Sequence, residues 1–408
     1  MKIIVQKFGG TSLSTQELRN QVINKIINAK RGGFQPVVVV SAMGRKGDPY
    51  ATDTLLEMNS WICKDVHPRE MDLLISCGEI ISTVILANTL KARGYEARAF
   101  TGGQAGIITD SNFMEADILD VRPDRILDSL AKGRIPIVAG FQGVTENGDF
   151  TTLGRGGSDV TAVALAGALS AFAVEIYSDV DGIMTADPKI VTNACVLSHV
   201  SYSEVLELAS KGAKVIHPRA VEYAIRDNIP LFIKNTSNAA PGTIISCEYD
   251  GALSSKQILS KQVVTGIAHI ADRIQVTIFQ DDPTKNNKVL TKLADNHISI
   301  DIINILPDKM IFTIEGAKQK EAQHILKDNK CRYSILENCS KISVVGGKMR
   351  GVPGVMSAIV TALSKNNIQI LQTADSHTTI SCLVKGEDTS KAVIALHEEF
   401  ELYKKEIQ

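Results

Sequence analysis

Apolar runs rich in β-branched residues alternate with helix-like patterns through about the first 235 residues, and this alternation constrains the fold more than any other feature of the chain. Strands that alternate with helices form crossover units, in which the strands run parallel and helices cover both faces of the sheet. We therefore predict an α/β domain with a mainly parallel sheet. The apolar runs are residues 3–5, 37–40, 97–100, 135–139, 174–177 and 231–233.

Four of these runs lead into glycine or small polar residues at their carboxyl ends. The sequences are KFGGTS shortly after Val5, SAMG after Val40, GFQG after Ala139 and SDVDG after Tyr177. In an open parallel sheet the ligand crevice lies beyond the carboxyl ends of the strands. We therefore expect these four junctions to converge on one site.

A different pattern begins after residues 237–261, a segment rich in Ser, Gly and Ala that we interpret as a domain boundary. Beyond it, LADNHISIDII from Leu293 and LSKNNIQILQT from Leu363 form a repeat with an offset of 70 residues. Each copy reads strand, helix, strand, strand and continues to a second helix, which is the order of a ferredoxin-like α+β unit. The predicted organisation is a first domain at residues 1–245, a linker at 246–262 and two small domains at 263–337 and 338–408, of which the first could be completed by a C-terminal strand.

The charge balance argues against a nucleic acid partner. Lys and Arg total 44 against 45 for Asp and Glu, so the formal net charge is −1. No long basic run is present that could follow a phosphate backbone.

The cysteines and the apolar segments favour a protein of the reducing cytoplasm. The seven cysteines are widely spaced and never form a CxxC pair, which argues against a disulfide framework or a zinc site. The N-terminal sequence MKIIVQKFGG reaches glycine before a signal-peptide core could form. The most apolar stretch, residues 160–174, has 15 residues, fewer than the roughly 20 needed to cross a bilayer. We predict that it is a buried helix and that the protein has no membrane partner.

The first motif, KFGGTS, places Lys7, Gly9 and Gly10 after the opening strand. Glycines let backbone N–H groups approach phosphate oxygens, a helix from about Thr15 would follow, and the lysine supplies a point charge. The alternative is a tight turn with a surface lysine. No GxxxxGK[ST] loop and no HRD or DFG triplet occurs, so a phosphate site here differs from the common ATP-binding loops.

The second motif, TTLGRGGSD at residues 151–159, leads into the apolar helix. Ser158 or Asp159 would cap this helix, and the exposed amides would form an anion site beside Arg155, a bidentate partner for carboxylate or phosphate. The alternative leaves Asp159 as a cap alone and Arg155 as a loop cation. A cap does not require the whole GRGG run, which favours the anion site.

A third motif and three weaker sequence strings also contain residues that could bind a ligand. In YSDVDGIMTADPKIV, residues 177–191, a strand ends in a hydroxyl, two acids and a glycine turn, which can hold a nucleotide near magnesium-bound phosphate, although Asp-Gly and Asp-Pro are also ordinary turn formers. Glu79 in LISCGEIIS lies near the start of a helical pattern, where the helix dipole favours a carboxylate, and it could receive a substrate ammonium group. Taken alone, GAKVIHPRA around Lys214 and SAMGRKGDPYATD at residues 41–53 are weak signals.

In this order and spacing, KFGGTS, GRGGSD and SDVDGIMTADP resemble the aspartate kinase family of the amino acid kinase superfamily. The resemblance covers essentially the whole chain, because tandem ACT domains follow the kinase domain in that family. It implies transfer of the γ-phosphoryl group of ATP to the β-carboxylate of L-aspartate, the first step toward lysine and diaminopimelate, threonine and methionine. It also implies Mg²⁺ bound through the nucleotide and a homodimer formed through the ACT domains.

The resemblance assigns roles to individual residues. Lys7 and Asp159 match the catalytic pair, Glu79 would bind the substrate ammonium group, and Arg155 its α-carboxylate. Ser41, Thr52 and Ser158 would line the substrate pocket. The positions that match ATP contacts are Lys7, Phe8, Gly9, Gly10, Ser178, Asp179, Met184, Lys189, Lys214 and Val215, with Met184 where a tyrosine often occurs and Lys189 where an arginine is usual.

The second repeat, MRGVPGVMSAIVTALSKNNIQILQTADS, resembles an ACT domain, a module that binds an amino acid where loop amides meet a strand edge. The implied effector is diaminopimelate, lysine or threonine, with overall likeness favouring diaminopimelate. The alternative is a pair of dimerisation domains without a ligand. The residues expected nearest the effector are Asp301, Asn304, Val355, Met356, Gln369, Ile370, Ser376 and His377.

Two other functions stay open from the sequence. One is another amino acid kinase, such as a glutamate kinase, and the other is a non-catalytic amino-acid-binding regulator that kept the fold. The tandem repeat and the strings around Glu79 and Arg155 favour aspartate as the acceptor. The presence of Lys7, Asp159 and the glycine loops favours an enzyme.

Overall fold

The computed structural model describes residues 2–62, 65–213, 215–247, 263–279, 283–347, 349 and 352–404. Lys214 and most of the predicted linker lie outside the described residues.

An eight-stranded sheet forms the centre of the first domain, in the order β10-β12-β11-β9-β1-β2-β6-β3. Its strands are β1 (Ile3–Phe8), β2 (Gln35–Val40), β3 (Ala97–Phe100), β6 (Ile135–Ala139), β9 (Ala173–Ser178), β10 (His199–Ser201), β11 (Leu231–Asn235) and β12 (Thr243–Ser246). A second sheet, in the order β5-β4-β7-β8, contains β4 (Ile107–Thr109), β5 (Ile118–Val121), β7 (Gln142–Val144) and β8 (Phe150–Thr152). Every pair of neighbours in the large sheet is parallel except β11 and β12. The predicted mainly parallel sheet is confirmed.

Burial on both faces explains why the central strands are apolar without alternation. Val37 and Val39 of β2 lie in one hydrophobic core, whereas Val38 and Val40 lie in the core on the opposite face. Successive residues of a strand point to opposite sides, so a strand covered on both faces needs apolar residues at every position. The covering helices are α1 (Gly10–Leu13), α2 (Gln16–Arg31), α3 (Thr52–Ser60), α4 (Pro68–Ala92), α5 (Asp124–Ala131), α6 (Gly157–Ala168), α7 (Tyr202–Ser210) and α8 (Pro218–Asp227).

The apolar stretch at residues 160–174 was predicted to be one buried helix, and this prediction is wrong. Helix α6 ends at Ala168, Ser170 adopts a left-handed conformation with φ of 46°, and β9 begins at Ala173. A fully buried helix and a fully buried strand are both apolar throughout, so periodicity does not separate them.

Helix α4 is long and apolar enough, by length and composition alone, to cross a membrane. Half of its most apolar 18-residue stretch is nevertheless buried within the protein, and its buried residues include Asp72 and Glu79. A core helix of a folded domain passes the same length test, and we interpret α4 in that way.

The two repeat units share one antiparallel sheet of six strands, in the order β14-β15-β13-β16-β18-β17. The elements of this region are β13 (Gly266–Phe279), α9 (Pro283–Asp295), β14 (Ile303–Ile305), β15 (Lys309–Glu315), α10 (Gln319–Asp328), β16 (Arg332–Val345), α11 (Val355–Lys365), β17 (Gln372–Asp375), β18 (Thr379–Lys385) and α12 (Thr389–Glu399). Each unit buries its own apolar core, as expected for two α+β units.

Strands β13 and β16 run through both units. Each has 14 residues, and each bends at a residue with positive φ, Asp272 at 55° and Asn338 at 50°. Residues 273–279 pair with 332–339 in the first unit, and residues 266–270 pair with 341–345 in the second unit. The second unit therefore takes its fourth strand from a segment that precedes the first unit.

This arrangement differs from the predicted boundary between residues 337 and 338, which falls inside β16. Within the part of the chain that the structure describes, the first unit is completed by the first half of β16 and not by a C-terminal strand. Among the described residues that follow α12, Leu402–Lys404 form a short 3₁₀ helix.

Candidate active site

The carboxyl ends of four neighbouring strands meet at one edge of the large sheet. Strands β9, β1, β2 and β6 are consecutive in the sheet, and Phe8 aligns with both Tyr177 and Val40. The loops after β1 and β2 are in contact, because the N–H of Gly44 donates to the carbonyl oxygen of Gly10 at 3.0 Å. A Cβ atom on Gly10 would lie 2.3 Å from the carbonyl oxygen of Ala42, so glycine is required there. The four strand ends thus meet at one edge of the sheet, as expected, and that they form one ligand site stays a prediction.

Lys7 and Asp159 form an ion pair at this edge, with 2.6 Å between Nζ and Oδ1. Their side chains are only 12% and 11% exposed. Lys7 comes from β1 and Asp159 from the first turn of α6, where the helix dipole favours negative charge.

The glycine run before α6 shapes the entry to this helix. Gly156 is the N-cap, with φ of 71° and no capping side chain, so the expected cap by Ser158 or Asp159 is wrong. A Cβ atom on Gly156 would lie 2.2 Å from Cβ of His217, and its φ also favours glycine. Because neither side chain caps the helix, Asp159 can pair with Lys7 and Ser158 can accept a hydrogen bond from Ser41.

A cavity of about 590 Å³ opens beside the ion pair. All seven residues predicted to be catalytic or substrate-binding line it: Lys7, Ser41, Thr52, Glu79, Arg155, Ser158 and Asp159. The hydroxyl of Ser41 donates to that of Ser158 at 3.0 Å, whereas Arg155 is exposed. The structure thus brings together residues from five separate segments of the chain.

Glu79 lies in the middle of α4, so the expected position near a helix start is wrong. The side chain is 2% exposed, and Oε1 accepts a hydrogen bond from the N–H of Ala42 at 3.0 Å. Oε2 is buried and has no hydrogen-bond partner among the described residues. Burial raises the pKa of Glu79 to about 8, because desolvation disfavours the charged form. A cation entering the cavity would supply the missing partner.

Asp72 supports the cavity from behind and was missed in the sequence analysis. It is fully buried two turns before Glu79 on α4, and it accepts hydrogen bonds from the N–H groups of Met114 and Thr152 at 3.0 and 2.9 Å. The Thr152 hydroxyl donates to it at 2.6 Å. Met114 and Thr152 both line the cavity. A carboxylate inside an apolar helix pattern, seven residues before Glu79 and so on the same side of the helix, could have indicated this buried residue.

Apart from Lys7, none of the described positions predicted to contact ATP lines the cavity. Ser178 and Asp179 lie where β9 ends, at the same edge of the sheet, which is here called the rim. Ser178 ends β9, and its hydroxyl accepts from the N–H of Val180 at 3.2 Å. The carboxylate of Asp179 pairs with the exposed Arg45 at 2.8 Å.

The remaining predicted ATP positions differ in what they offer a nucleotide. Met184 forms an isolated antiparallel bridge with Val196, Lys189 is exposed and Val215 is half-buried. The Phe8 side chain is fully buried and stacks on Tyr177 with 4.8 Å between ring centroids, so only its backbone could reach a ligand. Lys214 lies outside the described residues.

A fifth strand end joins this rim. The N–H of Thr236, which follows β11, donates to the carbonyl oxygen of Ser178 at 2.9 Å, and its hydroxyl lies 2.7 Å from that of Ser12. Asn235 and Asn238 both donate to Asp181 at 2.7 Å. The sequence KNTSN also places small polar residues after an apolar run, as at the other four junctions, so this strand end could have been predicted from the sequence.

The residues predicted to bind an effector fall into two groups. Val355 is buried in the core of the second unit, which argues against contact through its side chain. Met356, Gln369, Ser376 and His377 are exposed, and Ile370 is half-buried.

The two first-unit residues of this set face the second unit. Asp301 forms an ion pair with the buried Lys341, and burial lowers the pKa of Lys341. Asn304 accepts from Gln372 at 2.6 Å. Lys341 and Gln372 were missed, because nothing in the sequence shows that these strands meet.

We predict that Glu79→Gln stabilises the protein at high pH. Between pH 4.5 and about 8 the unfolded chain has lost the Glu79 proton and the folded chain retains it, so this group lowers stability as pH rises through that window. Glutamine resembles the protonated carboxyl and does not titrate. Urea unfolding should give nearly equal free energies for the two proteins at pH 5. At pH 9 the variant should be more stable by a few kcal/mol, since a tenfold difference in proton affinity is about 1.4 kcal/mol. A variant equally or less stable at pH 9 would contradict the neutral buried carboxyl.

Comparison with known proteins identifies the family. The sequence profile of the amino acid kinase family matches residues 2–235, and that of the ACT domain matches residues 334–398. Aspartokinase 1 of Bacillus subtilis (strain 168) is 46% identical over 406 residues, which cover 99% of this chain and 100% of the relative.

Solved aspartokinase structures share the fold of this chain over nearly its whole length. E. coli aspartokinase III in complex with aspartate and ADP has a TM-score of 0.78 at 24% identity, over 98% of this chain and 99% of that chain. The same enzyme in complex with lysine and aspartate has a TM-score of 0.76 at 25% identity, over 98% and 100% of the two chains. With full-length similarity added to the fold and the converging strand ends, the chain belongs to the aspartokinase family.

Proposed function

We propose that this protein is an ATP-dependent aspartate kinase that transfers the γ-phosphoryl group of ATP to the β-carboxylate of L-aspartate and forms 4-phospho-L-aspartate. The observation that carries the proposal is the cavity, which has the buried carboxylate of Glu79 in its wall together with the Lys7–Asp159 pair. Full-length similarity to aspartokinases supports the same activity.

The charges around the cavity suit a small acidic amino acid. The α-ammonium group of aspartate would pair with Glu79, whose Oε2 lacks a partner among the described residues. The α-carboxylate would pair with Arg155, whose guanidinium can form two parallel hydrogen bonds to a carboxylate. Ser41, Thr52 and Ser158 supply hydroxyl groups along the same wall. The β-carboxylate is then directed toward the ion pair and the nucleotide.

Catalysis requires positioning and charge stabilisation rather than a general base. The aspartate side chain has an unperturbed pKa near 3.9 and is already ionised at neutral pH. The loose transition state of phosphoryl transfer spreads negative charge over the equatorial oxygens. Lys7 and the amide of Gly10 would stabilise that charge, and Asp159, 2.6 Å from the Lys7 ammonium group, would hold that group in position.

ATP would lie along the rim, with its phosphates near Gly9 and its base and ribose near Ser178, Asp179, Met184 and Lys189. Mg²⁺ would be carried by the phosphates, because the described residues contain no group of three His, Cys, Asp or Glu side chains that could hold a metal. Asp179 and Asp181 on the rim supply the oxygen donors that this ion prefers. When bound, Mg²⁺ neutralises phosphate charge.

We expect Lys7→Ala to lower kcat for aspartate phosphorylation about 1,000-fold, which is the size of effect seen when one group that stabilises transition-state charge is removed. The KM for aspartate should change little. Trapping of the acyl phosphate with hydroxylamine measures this directly, and the same assay across candidate acids tests the acceptor. Lys7→Arg is the control that retains the charge. Near-normal turnover of Lys7→Ala would remove Lys7 from the mechanism, and turnover of glutamate but not aspartate would contradict the proposed substrate.

Arg155→Ala should raise the KM for aspartate about 10- to 100-fold, because a hydrogen bond to a charged group contributes about 1.5–3 kcal/mol. The KM for ATP should stay within about twofold. Arg155 is exposed, so folding should be unaffected. Arg155→Lys should recover part of the loss. Equal increases in both KM values would indicate a structural role for the loop.

The two ACT units would regulate the enzyme. E. coli aspartokinase III was solved with lysine, and the present protein would respond to diaminopimelate, lysine or threonine, with diaminopimelate preferred. The effector would lie near Gln369, Ser376 and His377 of the second unit, with Asp301 and Asn304 opposite in the first. The edge strand β14 carries exposed Ile303 and Ile305, an apolar surface that suits pairing with a second copy.

We predict inhibition by one of these amino acids or by a combination, together with a homodimer in solution. Initial rates with each amino acid alone and in pairs would identify the effector. Gln369→Ala, a change at an exposed position, should weaken the inhibition without lowering basal activity. Sedimentation velocity would report a species of twice the 44.1 kDa chain. A monomer insensitive to every combination would contradict regulation by paired ACT units.

A further inference from the structure

Residues 179–198 form the loop between β9 and β10, here called the nucleotide loop because the proposed ATP positions Asp179, Met184 and Lys189 lie in it. Thr185 follows Met184 directly and is fully buried. It contacts the second ACT unit through both its hydroxyl and its carbonyl oxygen.

Thr185 joins three segments through hydrogen bonds. Its N–H donates to the carbonyl oxygen of Cys195 at 2.9 Å, and its hydroxyl accepts from the N–H of Cys195 at 3.0 Å, which closes the loop on itself. Its carbonyl oxygen accepts from the N–H of Ile267 in β13 at 2.8 Å. The hydroxyl also lies 2.9 Å from Nε2 of His397, a fully buried residue of α12.

The packing around Thr185 ties the loop to the same unit. Ala186 and Val191 lie in the hydrophobic core of the second ACT unit, and the thiol of Cys195 contacts the carbonyl oxygen of Tyr403 at 3.3 Å. A Cβ atom on Gly266 would come within 3.0 Å of the Thr185 carbonyl oxygen, so the two backbones are in close contact. Burial lowers the pKa of His397, which keeps the ring neutral beside the hydroxyl.

We infer that Thr185 and His397 are positioning residues for the nucleotide: through their contact the second ACT unit holds the nucleotide loop in the conformation that binds ATP. The inference rests on the proposed function, because it takes the loop to be part of the ATP site. Neither residue is assigned contact with ATP or aspartate. Each acts through the loop backbone at Met184.

The expected kinetic effect follows from the position of the loop. If the contact is lost and the binding-competent conformation falls to a tenth or a fifth of the population, the apparent dissociation constant for nucleotide rises about five- to tenfold. Lys7 and Asp159 lie on β1 and α6 and make no hydrogen bond to Thr185 or His397 among the described contacts. Turnover at saturating ATP should therefore be retained.

Thr185→Val and His397→Leu remove the polar contact and preserve the approximate side-chain volume. Each should raise the KM for ATP about five- to tenfold, with kcat and the KM for aspartate within about twofold of the parent. Thr185→Ser retains the hydroxyl, and His397→Gln retains a side-chain nitrogen close to the position of the histidine Nε2. The KM for ATP of both variants should stay close to that of the parent. The double variant Thr185→Val/His397→Leu should be no worse than Thr185→Val alone, because Thr185→Val already removes the contact with His397 as well as the hydrogen bond from the N–H of Cys195.

Thr389→Val is the matched control. Thr389 begins the same helix, α12, and its hydroxyl contacts Ser340 at 2.6 Å within the second unit, away from the nucleotide loop. It should lower the melting temperature without changing the KM for ATP. Folded Thr185→Val with a parental KM for ATP would overturn the inference, as would equal increases in the KM values for ATP and aspartate.

The dissociation constant for ADP, measured by titration calorimetry without an acceptor, separates this inference from the proposed function. A parent that binds ADP but does not phosphorylate aspartate would contradict the proposed acceptor, and a weaker ADP affinity in Thr185→Val would still support the positioning role. If His397→Leu does not fold, Thr185→Val and Thr185→Ser decide the outcome. Unchanged ADP affinity in folded Thr185→Val would overturn the positioning role.

Discussion

The parallel alignment of β9, β1, β2 and β6 is the constraint on which the rest of the active site depends. Hydrogen bonds between parallel strands fix their relative register, so the four loops that follow emerge side by side at one edge of the sheet. Lys7 and Asp159 are far apart in the chain, and they meet because β1 and the start of α6 lie at the same edge of the sheet. The glycines in these loops serve the same arrangement. A side chain at Gly10 or Gly156 would collide with a neighbouring loop.

Two carboxylates in the cavity have opposite environments, and this contrast suits a zwitterionic acid. Asp159 already has a cation within 2.6 Å, whereas Glu79 is buried without one among the described residues. An uncompensated buried charge is costly, so the empty site favours the protonated form of Glu79. Arrival of an ammonium group would provide the opposite charge that stabilises the ionised form. If Glu79 binds the substrate ammonium group as proposed, the site would discriminate against a dicarboxylate that lacks an amino group, because such a molecule would leave Glu79 without its partner.

The sequence predicted the elements of the site better than their contacts. The four strand ends were recognisable because β-branched runs meet glycine and hydroxyl residues directly. All seven residues expected to be catalytic or substrate-binding line one cavity, but the resemblance to a family supplied their roles. Glu79 was placed near a helix start because its apolar neighbours hide the true beginning of α4 at Pro68. Asp72, Lys341 and His397 were missed, because each acts through a tertiary contact with a segment distant in the chain.

The two long strands of the regulatory region have a consequence for how this region can be separated. The ACT profile matches residues 334–398, yet the sheet of that unit includes residues 266–270 as a strand. A fragment cut at residue 334 would lose this strand and expose a row of unpaired backbone N–H and C=O groups on β16, an edge prone to aggregation. The second unit is therefore not an excisable module. Exchange of sensory specificity between related enzymes would have to transfer the whole region from residue 263 onward, with its contact to the nucleotide loop.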